Sequence, residues 1–128
     1  MLRVLRNRGW RVLGNERSVE AARAAAHRNA IPMFVGGLDA LAESARFDLI
    51  ILFQVLEHIP MPVETLRRVA GLLADGGTVV IAVPNYSSWQ SRLFGRFWFH
   101  LDVPRHRKHF SVATLTAALR TVGLRDRK

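Results

Sequence analysis

The stretch Phe47-Asp48-Leu49-Ile50-Ile51-Leu52-Phe53-Gln54-Val55-Leu56-Glu57-His58-Ile59-Pro60 decides how the chain is read. Its five consecutive apolar residues, 49–53, are too few for a helix of their own. They are rich in β-branched and aromatic types, with a carboxylate, Asp48, at their head. That composition reads as a strand buried on both faces, the kind found inside a parallel sheet. Gln54, Glu57 and His58 follow at once. Ligands of open α/β sheets bind just beyond the carboxyl ends of the strands, so this polar cluster stands where one wall of an active site is expected.

Outward from that strand the pattern alternates. Downstream, Pro60 and Pro62 bracket a helix start, and Val63, Leu66, Ala70 and Leu73 keep an apolar stripe at helical spacing while Arg67 and Arg68 face away. Asp75-Gly76-Gly77 then turns the chain into a strand over 78–83. Upstream, residues 31–36 predict a strand with Pro32 near its start, where a missing donor is tolerated. Residues 36–39 form a turn and 40–45 a short helix. Earlier still, a helix over 2–8 ends at Gly9, a short strand covers 10–14, and Ser18 caps an alanine-rich helix with Glu20 in its first turn. The far end holds a segment with five aromatic residues between positions 89 and 99, then a helix over 114–122 that stops at Gly123. Strands alternating with helices predict an α/β domain with a parallel sheet.

At 128 residues the chain is long enough for one domain. Its 49% hydrophobic content is that of an ordinary globular chain. The absence of cysteine excludes disulfides and thiolate metal sites. The N-terminus has no secretory apolar core, and no run approaches the roughly 20 apolar residues of a membrane span, so a cytoplasmic protein is expected. The net charge is +9, and only Lys108 and Lys128 among 19 basic residues are lysines. Arginines gather at Arg3, Arg6, Arg8 and Arg11, and again at Arg92, Arg96, Arg105 and Arg107. Solvated surface is the first reading of that charge and a nucleic-acid site the second.

The stretch 47–60, with Gly76-Gly77-Thr78-Val79-Val80-Ile81-Ala82-Val83-Pro84-Asn85 after it, resembles the second half of a class I S-adenosylmethionine (SAM) dependent methyltransferase. It is most similar to the branch whose fourth strand runs into Leu-Glu-His and whose fifth ends in Val-Pro-Asn. The likeness extends over residues 9–123. It implies a partial Rossmann-like class I sheet with helices on both faces, its first strand, glycine-rich loop and final two strands absent. No Gly-x-Gly-x-Gly occurs in the chain. Residues 1–128 then read as a single truncated methyltransferase domain, with 86–110 as a substrate-covering segment inside it. Loss of a central strand exposes two strand edges, which self-association would cover.

The residues carry their own chemistry beside the resemblance. Glu16, a carboxylate at a strand end, suits the two hydroxyls of a ribose, and the resemblance gives it the ribose of SAM. Gly37-Leu38 matches a family turn that usually reads Asp-Leu. Glycine there removes the side-chain partner of adenine, leaving the Leu38 backbone N–H and apolar wall, with Asp39 next in line. Phe53 and Gln54 match positions lining the methionine end of SAM.

His58, supported by Glu57 or His106, is the expected general base, since neutral imidazole can take a proton from an attacking hydroxyl. Some small-RNA 2′-O-methyltransferases carry Glu-x-x-Glu-His and a later histidine here and hold a divalent ion. Gln54-x-x-Glu57-His58 and Arg105-His106-x-x-His109-Phe110 are similar. Gln54 replaces one carboxylate, however, and weakens the charge available to a hard cation, so a metal-free site is the first reading and a divalent metal the second. His100, His106 and His109 fit no structural zinc spacing. Asn85 either orients a substrate oxygen or satisfies a turn.

In the 86–110 segment, aromatics with Arg92 and Arg96 suit a flat or apolar acceptor, stacked bases, a membrane surface, or plain packing. The expected function is SAM-dependent methyl transfer to an oxygen of a small-molecule acceptor. The competing readings are an inactive remnant serving as an interaction module, and a basic module binding RNA or anionic lipid.

Overall fold

Ser18 precedes an alanine-rich run, and its hydroxyl accepts from Ala21 N at 3.2 Å, starting a helix that runs over Val19–Asn29. The computed structural model describes residues 1–125; the last three of the expected 1–128 domain lie outside the described residues. The chain divides into two units, Met1–Ala42 and the residues from Glu43 onward.

The first unit contains α1 (Leu2–Asn7), β1 (Gly14–Glu16), α2 (Val19–Asn29) and β2 (Met33–Val35), with a 3-10 turn at Leu38–Ala40. β1 and β2 pair in parallel, Gly14 opposite Met33 and Glu16 opposite Val35. α2 packs on both strands. Ala22 and Ile31 are its buried apolar side chains. The strand expected over 10–14 instead begins at Gly14. A ladder needs a partner. Pro32 supplies only its carbonyl, accepting from Gly14 N at 2.9 Å, and regular pairing starts one residue later. The helix expected over 40–45 is absent: Leu41 is extended after the 3-10 turn, and six residues without a cap do not repay helix nucleation.

The second unit contains β3 (Phe47–Phe53), a 3-10 turn at Leu56–His58, α3 (Pro62–Leu72), β4 (Leu73–Ala82), α4 (Trp89–Phe94), two more 3-10 turns at Gly95–Phe97 and Phe99–Leu101, and α5 (Val112–Thr121). β3 pairs with β4 in parallel, Leu49 opposite Thr78 through Phe53 opposite Ala82. Phe47 pairs with Leu73, so β4 begins before the expected residue 78, and Asp75-Gly76-Gly77 form a bulge within the strand instead of a turn ahead of it. Gly77 is required there, because a Cβ would lie 2.9 Å from Ala74 O and 3.0 Å from Phe47 O.

Pro62 occupies the first turn of α3, where its missing N–H costs nothing. Leu66, Val69 and Leu72 are the buried face of that helix. α3 packs on β4 and α5. Ser111 and Thr114 close a reciprocal capping box at the start of α5.

Burial of β3 on both faces is not observed. Leu52 is buried, Leu49, Ile50 and Ile51 are half-buried, and Phe53 is 59% exposed. Among the described residues β3 has one ladder partner, so neighbouring side chains cover its apolar run only in part.

Candidate functional site

The chain leaves β3 through an unusual residue. Gln54 has φ +52°, left-handed backbone that costs a non-glycine residue roughly 1–2 kcal/mol. Its N–H still donates to Ala82 O at 2.9 Å, so the turn is fixed to the end of β4. That turn carries the chain into Leu56–His58. Leu56 is fully buried as an anchor, and Glu57 beside it is only 1% exposed.

Backbone bonds hold this turn against a later loop. Glu57 O accepts from Arg107 N at 2.9 Å and Lys108 N at 3.1 Å. His58 Nδ1 lies 3.0 Å from Arg105 O. His106, whose side chain is 8% exposed, has Nδ1 2.7 Å from His100 O. A carbonyl oxygen only accepts, so both rings carry their proton on Nδ1 and keep a lone pair on Nε2 when neutral. The ring centroids of His58 and His106 are 4.8 Å apart, edge to face.

Among the described residues, neither Glu57 carboxylate oxygen has a hydrogen-bond partner. A buried carboxylate without partners costs several kcal/mol, so it marks a place where a proton donor or cation belongs. One ligand atom each from Glu57, His58 and His106 lie within 4.8 Å of one another. The three residues expected to do the chemistry are therefore brought together.

Sequence reading missed Asp102. It stands at φ +35°, binds Arg105 Nε and Nη2 at 3.1 and 3.0 Å, and places Oδ2 3.9 Å from His106 Nε2. The i, i+3, i+4 spacing of Asp102, Arg105 and His106 was the available signal. Asp102 thus orders the loop whose Arg105 carbonyl holds His58. His109 Nε2 donates to Leu101 O at 2.9 Å, and its ring lies 5.4 Å from Tyr86, which makes it a packing residue. Asn85 Oδ1 accepts from Ser87 N at 3.0 Å, satisfying a turn.

The expected donor-binding residues fall on two different units. In the first, Glu16 Oε1 accepts from Arg17 N at 2.7 Å and Ser18 N at 3.2 Å, so the start of α2 fixes the carboxylate. The space a side chain at Gly37 would fill is taken by the carboxylate of Asp39, and Leu38 is half-buried. In the second, Phe53 and Gln54 are exposed at the end of β3. An open hollow of about 570 Å³ in the first unit is lined by Trp10, Arg11, Leu13 and Pro32 among others. It contains none of the expected site residues. Convergent acid and imidazole groups are the better guide to chemistry than its size.

Comparison with known proteins bears on the family and the fold. The sequence matches the family described as a methyltransferase domain over residues 1–128. Comparison with curated proteins found no match. A structure titled a SAM-dependent methyltransferase, "possible histamine N-methyltransferase", from Thermotoga maritima is similar at 19% identity and TM-score 0.71, over 89% of this chain and 55% of that one. The N-terminal domain of EvdMO1, solved with SAH bound, is similar at 17% identity and TM-score 0.60, over 93% of this chain and 57% of that one. The chain thus spans just over half the length of these structures. Both likenesses concern the α/β fold, with its short parallel strands and intervening helices. By its sequence match, this chain belongs to the methyltransferase family.

Proposed function

We propose that the chain works in SAM-dependent methyl transfer to an oxygen of a small-molecule acceptor, with SAM as cofactor. One observation carries the reading. Two imidazoles, each pinned through Nδ1 to a backbone carbonyl, stand beside a buried carboxylate that lacks a partner.

SAM, when bound, would supply an electrophilic methyl group whose carbon–sulfur bond breaks, its electron pair staying on sulfur, as the acceptor oxygen bonds the methyl carbon. His58 Nε2 takes the hydroxyl proton. Glu57 stabilises the imidazolium so formed, and His106 holds the neighbouring face. By the resemblance, Glu16, Gly37 and Leu38 of the first unit would serve the nucleoside of SAM, and Phe53 and Gln54 of the second its methionine end. Such a displacement gains much of its rate from alignment of donor and acceptor. Gln54 on a constrained backbone suits that task.

The test is mass spectrometry of products from SAM and a panel of phenols, alcohols and amines. Methyl ethers are expected, with His58→Ala lowering the rate about 10²–10⁴-fold while SAM binding is kept. Methylation of amines alone would overturn the oxygen assignment.

The unpartnered Glu57 oxygens favour a second reading of the same cluster. Glu57, His58 and His106 would hold a divalent cation, which supplies a Lewis acid for the acceptor hydroxyl. Two imidazoles and one carboxylate fit a zinc-like or other transition ion better than magnesium or calcium. A melting temperature raised by zinc, with the rise abolished in Glu57→Gln, selects this reading. An unchanged melting temperature selects the free imidazole base.

A further inference from the structure

The segment between β4 and α5 shows large apolar side chains to solvent. Leu93 is 66% exposed, Phe94 51%, Phe97 76%, Phe99 86% and Val103 67%. The segment is nevertheless anchored from beneath. Trp98 is 7% exposed, with its ring 6.2 Å from Tyr86 and 5.5 Å from His100. Ser91 is buried, and Ser88 caps α4. The outward apolar set therefore belongs to an ordered surface. Single exposed apolar residues are ordinary; five large ones within eleven positions mark a contact surface.

Charge identifies the partner. Between residues 86 and 110 the sequence has Arg92, Arg96, Arg105, Arg107 and Lys108 against one acid, Asp102. All five basic residues are exposed, while Asp102 is half-buried and paired with Arg105 at 3.0 Å. The outward charge is one-signed. Arg96 lies over the Phe97 ring at 4.9 Å, so cation and apolar ring project together.

We propose that this segment docks on the surface of an anionic lipid bilayer. Leu93, Phe94, Phe97 and Phe99 would enter the boundary between headgroups and acyl chains, with the arginines on lipid phosphates. Aliphatic Leu93 and Val103 favour lipid over single-stranded RNA, because bases stack on rings and gain nothing comparable from a branched alkyl group. The proposal stands apart from the methyl-transfer reading, since it uses none of Glu57, His58 or His106.

Vesicle flotation of the full chain tests it, using phosphatidylcholine alone and phosphatidylcholine with about a third phosphatidylglycerol. Binding to the anionic vesicles only is expected, weakening about tenfold or more in Arg92→Ser/Arg96→Ser and also when salt is raised. Phe97→Ser/Phe99→Ser should lose binding while circular dichroism stays unchanged, because both side chains are largely exposed. Equal behaviour with both vesicle types would overturn the proposal. So would binding that survives the phenylalanine changes, or tighter capture by a single-stranded RNA oligomer than by the anionic vesicles.

Discussion

Between residues 1 and 42 the parallel pair is three residues on each side, and the buried apolar side chains are Ala22 and Ile31. From residue 43 onward the pair is seven residues against ten, and Leu52, Leu56, Leu66, Val69, Leu72, Trp98 and Phe110 are buried. Each unit also holds one carboxylate expected to act on a ligand. Glu16 is half-exposed and receives two backbone N–H groups; Glu57 is buried and receives none. The shallow unit presents an acid held at one oxygen by its own backbone. The deep unit keeps an acid unsatisfied, and only a dense core can hold such a group in place.

If that contrast is sound, the largest effect should follow from thinning the deep core. Leu66→Ala should cost about 3 kcal/mol in urea unfolding, by lost burial and a residual cavity. Val35→Ala, on the exposed side of β2, should cost under about 0.5 kcal/mol. Equal losses would erase the distinction between the units.

The two acids offer the next comparison. In metal-free protein, Glu57→Leu should raise stability by about 1–3 kcal/mol, since it replaces an unpartnered buried carboxylate with a side chain of similar size. Methyl transfer should be lost at the same time. Glu16→Ala should instead lower stability by about 1 kcal/mol, through loss of its bonds to Arg17 and Ser18. Thermal unfolding reads both. A destabilised Glu57→Leu would show that the carboxylate is not the liability its surroundings imply.

Much of the deep unit was legible beforehand. The apolar run 49–53 and Pro62 at a helix start each have a local cause, and each lies within an element of the expected kind. Val69 is absent from the expected stripe on α3 yet is fully buried; α3 packs on two elements, β4 and α5, which no local spacing reveals. The upstream strand was misplaced because Trp10, Val12 and Leu13 read as a strand while pairing depends on Pro32 and Met33, some twenty residues away. Glu57 and His58 were adjacent in sequence. His106 was linked to them only through a family pattern, and its convergence depends on the Arg107 and Lys108 backbone bonds, which no side-chain spacing reveals. Asp102 was passed over because its part is to order a loop.

The smallest test returns to the shallow unit. Ser18→Ala should cost about 1 kcal/mol at neutral pH, by loss of the α2 cap. The Glu20 carboxyl is held below its ordinary 4.5 by its own backbone N–H first and the Ser18 hydroxyl second. Its contribution is present above the unfolded value and fades as pH falls through the lower folded one. The difference between wild type and Ser18→Ala should therefore narrow under acid conditions. An undiminished difference in acid melts would remove Glu20 from the account.

The most direct measurement is calorimetric titration of the full chain with SAM. Saturable heat is predicted, weakened about tenfold or more by Glu16→Ala, the loss expected of a hydrogen bond to a charged group. His58→Ala should leave that binding intact. No heat at millimolar SAM, or binding indifferent to Glu16, would contradict the assignment of donor binding to this chain.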